Sequence, residues 1–248
     1  MNILIYGATS RIAHECARAW ARQGHRLTLL GRDAERLAGV AADLRVLAGS
    51  DDAAVTTAVL ELSNEELIRR CISEADASAG GFDVALVAHG WLPDQAGSQG
   101  DPVQLRHAIE VNALSVAQLC EAIAAVFESR RSGTLAVIGS VAGDRGRQSN
   151  YIYGASKAFV ERFCQGLRNR LYPAGVRVVL VKPGPTDTPM TRGMAGRPGR
   201  LAHPADVAAD IVRGIGRGTR VVYTPAIWRW IMTIIRWIPE AVFVRLKL

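Results

Sequence analysis

Aromatic residues are scarce in this 248-residue chain, at 6%. That argues against an aromatic-filled sandwich core and, with 24 glycines, suits tight strand–helix turns. No C-x-x-C pair occurs. Cys16, Cys71, Cys120 and Cys164 are scattered, each in a stretch of helical period. They read as small buried hydrophobes in a reducing compartment, not as a disulfide framework or a zinc site. The five histidines show no metal-ligand spacing, so no metal is expected. No run of 18 apolar residues is present, which predicts no ordinary transmembrane helix. The chain enters a strand at residues 2–6 without a basic region or a cleavable apolar segment, so no signal peptide and a cytoplasmic location are expected. Lysine is nearly missing: 27 of the 30 basic residues are arginine.

What is present is a 49% hydrophobic content, which excludes disorder and can build one substantial core. The net charge is +7, and its placement is uneven. Residues 192–248 hold ten Arg or Lys against three acids; the other 191 residues balance at 20 against 20. Basicity alone permits a nucleic-acid partner. No nucleic-acid motif accompanies it, and none is expected. The placement suits anionic head groups, with arginine drift in a GC-rich genome as the alternative.

Short apolar β-branched runs at 2–6, 26–31, 55–60, 83–88, 134–139, 176–182 and 220–224 alternate with helical stretches near 10–23, 33–47, 64–76, 103–128, 151–172 and 204–216. Runs such as Val84-Ala85-Leu86-Val87 lack polar alternation, as strands buried on both faces do. The expected fold is α/β, a Rossmann-like doubly wound parallel sheet of about seven strands with an amphipathic C-terminal helical tail. The division is a domain over 1–224 and an appendage over 225–248.

The first strand runs into Gly7-Ala8-Thr9-Ser10-Arg11-Ile12. A glycine turn opening a helix lets backbone N–H groups meet a pyrophosphate. The fingerprint is incomplete, because Arg11 and Ala13 stand where a strong one has glycine; a plain strand–helix turn is the alternative. The second strand ends Gly31-Arg32-Asp33. Arg at this tip suits a 2′-phosphate, so NADP(H) is expected over NAD(H), with Arg11 adding to the field. A solvated turn arginine is the alternative.

Tyr153 and Lys157 lie four apart on one helical face. An ammonium beside a phenol favours the phenolate and is expected to lower its pKa. The result is a proton donor for a developing alkoxide. Ser140 closes the fifth strand, at the carboxyl end where such sheets bind ligands.

Ser140 followed by Tyr153-Gly154-Ala155-Ser156-Lys157, between strands five and six, resembles the short-chain dehydrogenase/reductase family. The resemblance covers roughly residues 2–224. It implies that Tyr153 is the general acid/base, that Lys157 binds the nicotinamide ribose and depresses the Tyr153 pKa, and that Ser140 bonds the substrate oxygen. Asn112 matches the fourth catalytic residue, holding a water that relays protons toward Lys157. Pro183-Gly184-Pro185-Thr186-Asp187-Thr188 matches the segment at the nicotinamide carboxamide, with Thr188 in contact. Glu61, beside Leu62, stands where the family usually has Asp near adenine. Val87-Ala88-His89-Gly90 replaces the family's Asn-Asn-Ala-Gly, which removes hydrogen bonds that brace the central strand. His89 reads as packed or solvated, or as reaching the site.

Residues 183–204 hold nine Gly or Pro, with Met190 and Met194, a composition that predicts a mobile lid over an apolar substrate; a plain polar connection is the alternative. In the tail, three of five tryptophans fall between 228 and 237. Arg229, Thr233, Arg236 and Glu240 share one narrow face, and Pro239 should kink or restart the helix. Such a helix suits a membrane interface through 226–246; subunit packing in a homo-oligomer is the alternative. The Tyr-Gly-Ala-Ser-Lys run, Ala88-His89-Gly90 and the Pro225-Ala226…Ile238-Pro239 tail resemble decaprenylphosphoryl-2-keto-pentose reductases. That implies a keto-sugar on a polyprenyl phosphate as substrate and a flavin oxidase as partner. Reduction of another hydrophobic ketone, of steroid or acyl type, and a weakly catalytic NADP-binding scaffold are the other readings.

Overall fold

The computed structural model describes residues 1–49, 54–192 and 201–246. Seven parallel strands form one sheet: β1 (Asn2–Tyr6), β2 (Arg26–Gly31), β3 (Val55–Val59), β4 (Val84–Val87), β5 (Thr134–Ile138), β6 (Arg177–Pro183) and β7 (Val221–Thr224). Their order is β3-β2-β1-β4-β5-β6-β7. The order reverses between β1 and β4, which opens a crevice at the carboxyl ends of those strands. Tyr6 is level there with Leu30 on one side and Val87 on the other.

Helices cover both faces, as the unalternated strands require. On one face lie α1 (Arg11–Arg22) and α2 (Ala34–Leu47); on the other lies α3 (Glu65–Ser78). The chain then forms a short α4 (Gln95–Ser98), α5 (Pro102–Ile109), α6 (Ser115–Arg130) and α7 (Tyr151–Leu171). After β6, α8 (Pro204–Gly216) packs beside α1, and α9 (Ile227–Trp237) and α10 (Glu240–Phe243) form the tail. Starts are set by side-chain caps: Asp33 accepts from Arg36 N–H, Asn64 from Glu66 and Leu67 N–H, and Asp101 from Val103 and Gln104 N–H.

β3 is an edge strand with four of its five residues exposed. One expectation needs correction. The helix expected over 103–128 is interrupted by a π turn at Glu110–Leu114, which separates α5 from α6 and carries Asn112. Residues 102–130 are also long and apolar enough to cross a bilayer by length and composition alone, a test that a buried core helix passes as well. In the fold, Val116, Leu119, Ile123 and Phe127 of α6 are buried in the core on the α3 side of the sheet.

The tail restarts at Pro239, as expected. α9 presents Met232 inward and leaves Ile227, Trp230, Ile234 and Trp237 exposed in a stripe.

Candidate active site

A cavity of about 870 Å³ opens along the carboxyl ends of the strands. All but one of the expected site residues line it. At one end are Gly7, Thr9, Ser10, Arg11 and Ile12 of the β1–α1 turn, with Arg32 after β2 and Glu61 and Leu62 after β3. At the middle are Ala88, His89 and Gly90. At the other end are Ser140, Tyr153 and Lys157, faced by Pro183, Gly184, Thr186 and Thr188.

The β1–α1 turn is built for close approach. Gly7 has φ +80°, and a Cβ there would sit 2.7 Å from the His89 backbone nitrogen. Ser10, the N-cap of α1, makes no side-chain cap bond, and no acid stands in the first turn. The helix end is left free for an anion.

Lys157 is 3% exposed and donates to the Ile138 carbonyl at 3.2 Å. Burial pulls its pKa down to about 8. Its Nζ lies 5.7 Å from the Tyr153 ring centre. The expected lowering of the Tyr153 pKa does not follow: burial pushes the phenol up to about 12, opposed by a hydrogen bond with Ser140. Low polarity disfavours the phenolate more than the nearby groups favour it. Ser140 Oγ also accepts from Ala142 N–H at 3.1 Å, which orients the hydroxyl.

Asn112 is the expected site residue outside the cavity lining. It is fully buried in the π turn, where Oδ1 accepts from Trp91 N–H and Nδ2 donates to Trp91 O, both at 2.7 Å. It therefore pins the chain just after Gly90. A Cβ at Gly90 would fall 3.2 Å from Asn112 Oδ1 and 3.4 Å from Lys157 Nζ, so glycine keeps these two groups clear of each other's wall.

His89 stands against Tyr6 edge-on, with ring centres 4.9 Å apart. Its Nε2 is 2.9 Å from Ser115 Oγ, and Ser115 itself donates to Val111 O. Ser115 must therefore accept, which assigns the proton to Nε2 and leaves Nδ1 as an acceptor. That Nδ1 is buried with no partner. Burial, then the charges of Lys157 and Arg32, hold the His89 pKa near 3, so the ring is neutral.

Thr186 donates to Gly184 O, and Thr188 Oγ1 lies 3.4 Å from Thr191 Oγ1. Thr186 pairs with Ala202, so the segment between them leaves and returns at one point. Met190 lines the cavity, while Met194 and the middle of the expected lid lie outside the described residues.

The comparisons with known proteins agree with this geometry. Residues 1–197 match the family model for short chain dehydrogenase. An uncharacterized oxidoreductase of Streptomyces coelicolor is 35% identical over 99% of this chain and 95% of its own. A second, from Mycobacterium tuberculosis, is 33% identical over 98% and 96%. The chain belongs to the short-chain dehydrogenase/reductase family. A short-chain dehydrogenase from Sphingobium yanoikuyae, solved in complex with NADPH, is 27% identical, covers 97% of each chain and superposes with a TM-score of 0.81. The seven-stranded Rossmann-like sheet is thus the family's fold, and the chain is an oxidoreductase that uses a nicotinamide cofactor.

The residues fit that cofactor on their own terms: an uncapped helix start beside a close-approach glycine, two further arginines at the ribose end, and an orphaned buried acceptor midway. Sequence reasoning missed several residues that line the cavity or stand beside it. Arg36 lines the cavity one turn beyond Arg32, and Trp91 lies 4.9 Å from the His107 ring. Arg147 and Asn150 line the cavity as well. All four sit in stretches whose composition reads as ordinary helix start or polar loop, so no spacing signal marks them.

Proposed function

We propose that the chain reduces a ketone to a secondary alcohol with NADPH, and that Tyr153 supplies the proton. The observation that carries this reading is the convergence of Ser140, Tyr153 and Lys157 at one end of the cavity, with Arg32 at the other. The uncapped start of α1, with Gly7, Thr9, Ser10 and Ile12, would hold the pyrophosphate. Arg32 and Arg11 would hold the 2′-phosphate and set the preference for NADP(H) over NAD(H). Glu61 and Leu62 border the adenine, and Ala88, His89 and Gly90 border the ribose, with His89 Nδ1 free to accept from a hydroxyl. Lys157 takes the nicotinamide ribose, and Pro183, Gly184, Thr186 and Thr188 take the carboxamide. When bound, the nicotinamide supplies the hydride equivalent.

The chain's own part is proton and charge handling. Ser140 and Tyr153 donate hydrogen bonds to the ketone oxygen, and Tyr153 gives up its proton as that oxygen becomes an alkoxide. A phenol with a pKa near 12 is fully protonated at neutral pH, which is the form reduction needs. An alkoxide is far more basic than a phenolate, so the transfer runs downhill. Asn112 acts as a positioning residue by fixing Trp91 and, with it, Gly90.

The substrate in this reading is a keto-sugar on a polyprenyl phosphate, formed by a flavin oxidase partner. What supports it is the stripe of Ile227, Trp230, Ile234 and Trp237 on α9, with Arg229 and Arg236 on the neighbouring face, as on a helix lying in a lipid interface. Residues 1–224 would be the catalytic domain, and 225–248 the appendage that brings it to the head groups at the cytoplasmic face. The test is loss of NADPH absorbance with a farnesylphosphoryl 2-keto-pentose. Tyr153→Phe is expected to lower turnover at least ~1000-fold while NADPH binds within about twofold of wild type. A phenylalanine variant that turns over at the wild-type rate refutes the role.

A further inference from the structure

The loop from Ser140 to the start of α7 carries an arginine whose buried Nε has no hydrogen-bond partner among the described residues. Arg147 lines the cavity beside Asn150, Ser140 and Tyr153. Its Nε is buried and makes no hydrogen bond, and no ion pair reaches its guanidinium among the described residues. The nearest acid in sequence, Asp144, acts on Arg147 through its charge without forming an ion pair with it. Its carboxylate is sealed from solvent and bound by Lys182 and, at 2.8 Å, by the Tyr223 hydroxyl. Lys182 is shared with Glu161 at 2.7 Å, so the Asp144 carboxylate has its hydrogen-bond donors without Arg147, while the three groups keep one negative charge in excess. Glu110 also lines the cavity, from the π turn, and makes no ion pair with Arg147 among the described residues. Beside the arginine, Asn150 Oδ1 is buried and unpartnered too.

A guanidinium stays charged even when burial lowers its pKa; the Asp144 charge offsets part of the burial cost, and the buried, unbonded Nε–H is left for a ligand to satisfy. Its planar fork matches an oxyanion, while the Asn150 oxygen can only accept. The base of the loop is fixed by the Lys182–Asp144–Tyr223 network before any ligand arrives.

We propose that Arg147 is the subsite for an oxyanion carried by the substrate, with Asn150 Oδ1 taking a hydroxyl of the same molecule. The substrate class is therefore a phosphorylated hydroxy-ketone. This rests on the reductase reading for the reaction, but not for the binding. A phosphodiester on a lipid and a free phosphate ester present the same chemistry to the fork.

The protein saturated with NADP⁺, which occupies the arginines at the far end, is titrated by calorimetry with ribose 1-phosphate, its farnesyl diester and plain ribose. Wild type is expected to bind both phosphates, and Arg147→Met to weaken both at least ~30-fold, the scale of a charge-assisted contact. Arg147→Lys should fall between, because an ammonium lacks the fork. Tighter binding of the diester supports the subsite with a lipid-borne source; tighter binding of the free ester supports it with a soluble one. Equal affinity in wild type and Arg147→Met, or no phosphate binding by wild type, overturns it. Arg147→Gln is the second variant if the methionine form fails to bind NADP⁺ normally. If no ketone is turned over while phosphate binding still depends on Arg147, the reductase reading fails and the subsite stands.

Discussion

Replacing Lys157 with methionine is expected to make the protein more stable at neutral pH and less stable at high pH. Lys157 is 3% exposed, its one hydrogen bond goes to Ile138 O at 3.2 Å, and burial holds its pKa near 8 against an ordinary 10.5. At about 1.4 kcal/mol per pH unit, that displacement is a native-state penalty of about 3 kcal/mol. Between the two values the unfolded chain holds more protons than the native one, so stability rises with pH through this window. The penalty is present in full below pH 8 and gone above 10.5. Methionine removes it, and also removes a hydrogen bond worth about 1 kcal/mol. The variant should therefore be more stable by about 2 kcal/mol at pH 7 and less stable by about 1 kcal/mol above pH 10.5. Urea unfolding of both proteins across this range measures it, and the difference between them cancels every group they share. A difference that stays constant with pH, or a wild type more stable at pH 7, refutes the reasoning. The same variant should lose at least ~100-fold in turnover, so the lysine would be a residue kept against stability.

Two more outcomes follow from the two ends of the chain's charge. Arg32→Ser is expected to raise the NADPH KM about 10- to 100-fold, the loss of one charge-assisted phosphate contact, with NADH unchanged; equal effects on both cofactors would remove the basis for NADP preference. Trp230→Ser with Trp237→Ser is expected to abolish sedimentation with vesicles containing anionic lipid while the melting temperature holds, since both side chains are exposed. Wild type that never sediments, but whose oligomer is lost in the double variant, would assign the stripe to subunit contact instead.

Much of the sheet was legible because short β-branched runs such as Val178-Val179-Leu180-Val181 can do little but cross a core. The edge position of β3 was not, since which strand ends a sheet depends on partners far away in sequence. The π turn left no trace: Glu110-Val111-Asn112-Ala113-Leu114 keeps an ordinary helical composition, and the inserted residue shows only in the backbone. In the site, the Ser140–Tyr153–Lys157 spacing was readable, but the direction of the Tyr153 pKa was not. Spacing reports that a charge is near and says nothing of how much water the fold removes. Arg147 was unreadable for a related reason. Between Asp144 and Asn150 every residue looks like a solvated loop, and its anchors, the buried Lys182–Asp144 pair and the Arg145 contacts with the tail, come from residues far away in sequence.

The tail changes its meaning in the same light. It is tied to both walls of the cavity. A Cβ at Gly184 would overlap the Trp228 indole, so the segment facing Tyr153 rests directly on α9. On the opposite side, Arg145 donates to Ile235 O and Ile238 O at 2.6 Å, pairs with Glu240 at 2.8 Å and lies 3.7 Å over the Phe243 ring. The bonds to carbonyls satisfy the open end of α9, where a cation also complements the helix dipole. Arg145 stands two residues before Arg147. The tail therefore packs on the Pro183–Thr188 segment through Trp228 and holds the Arg147 loop through Arg145.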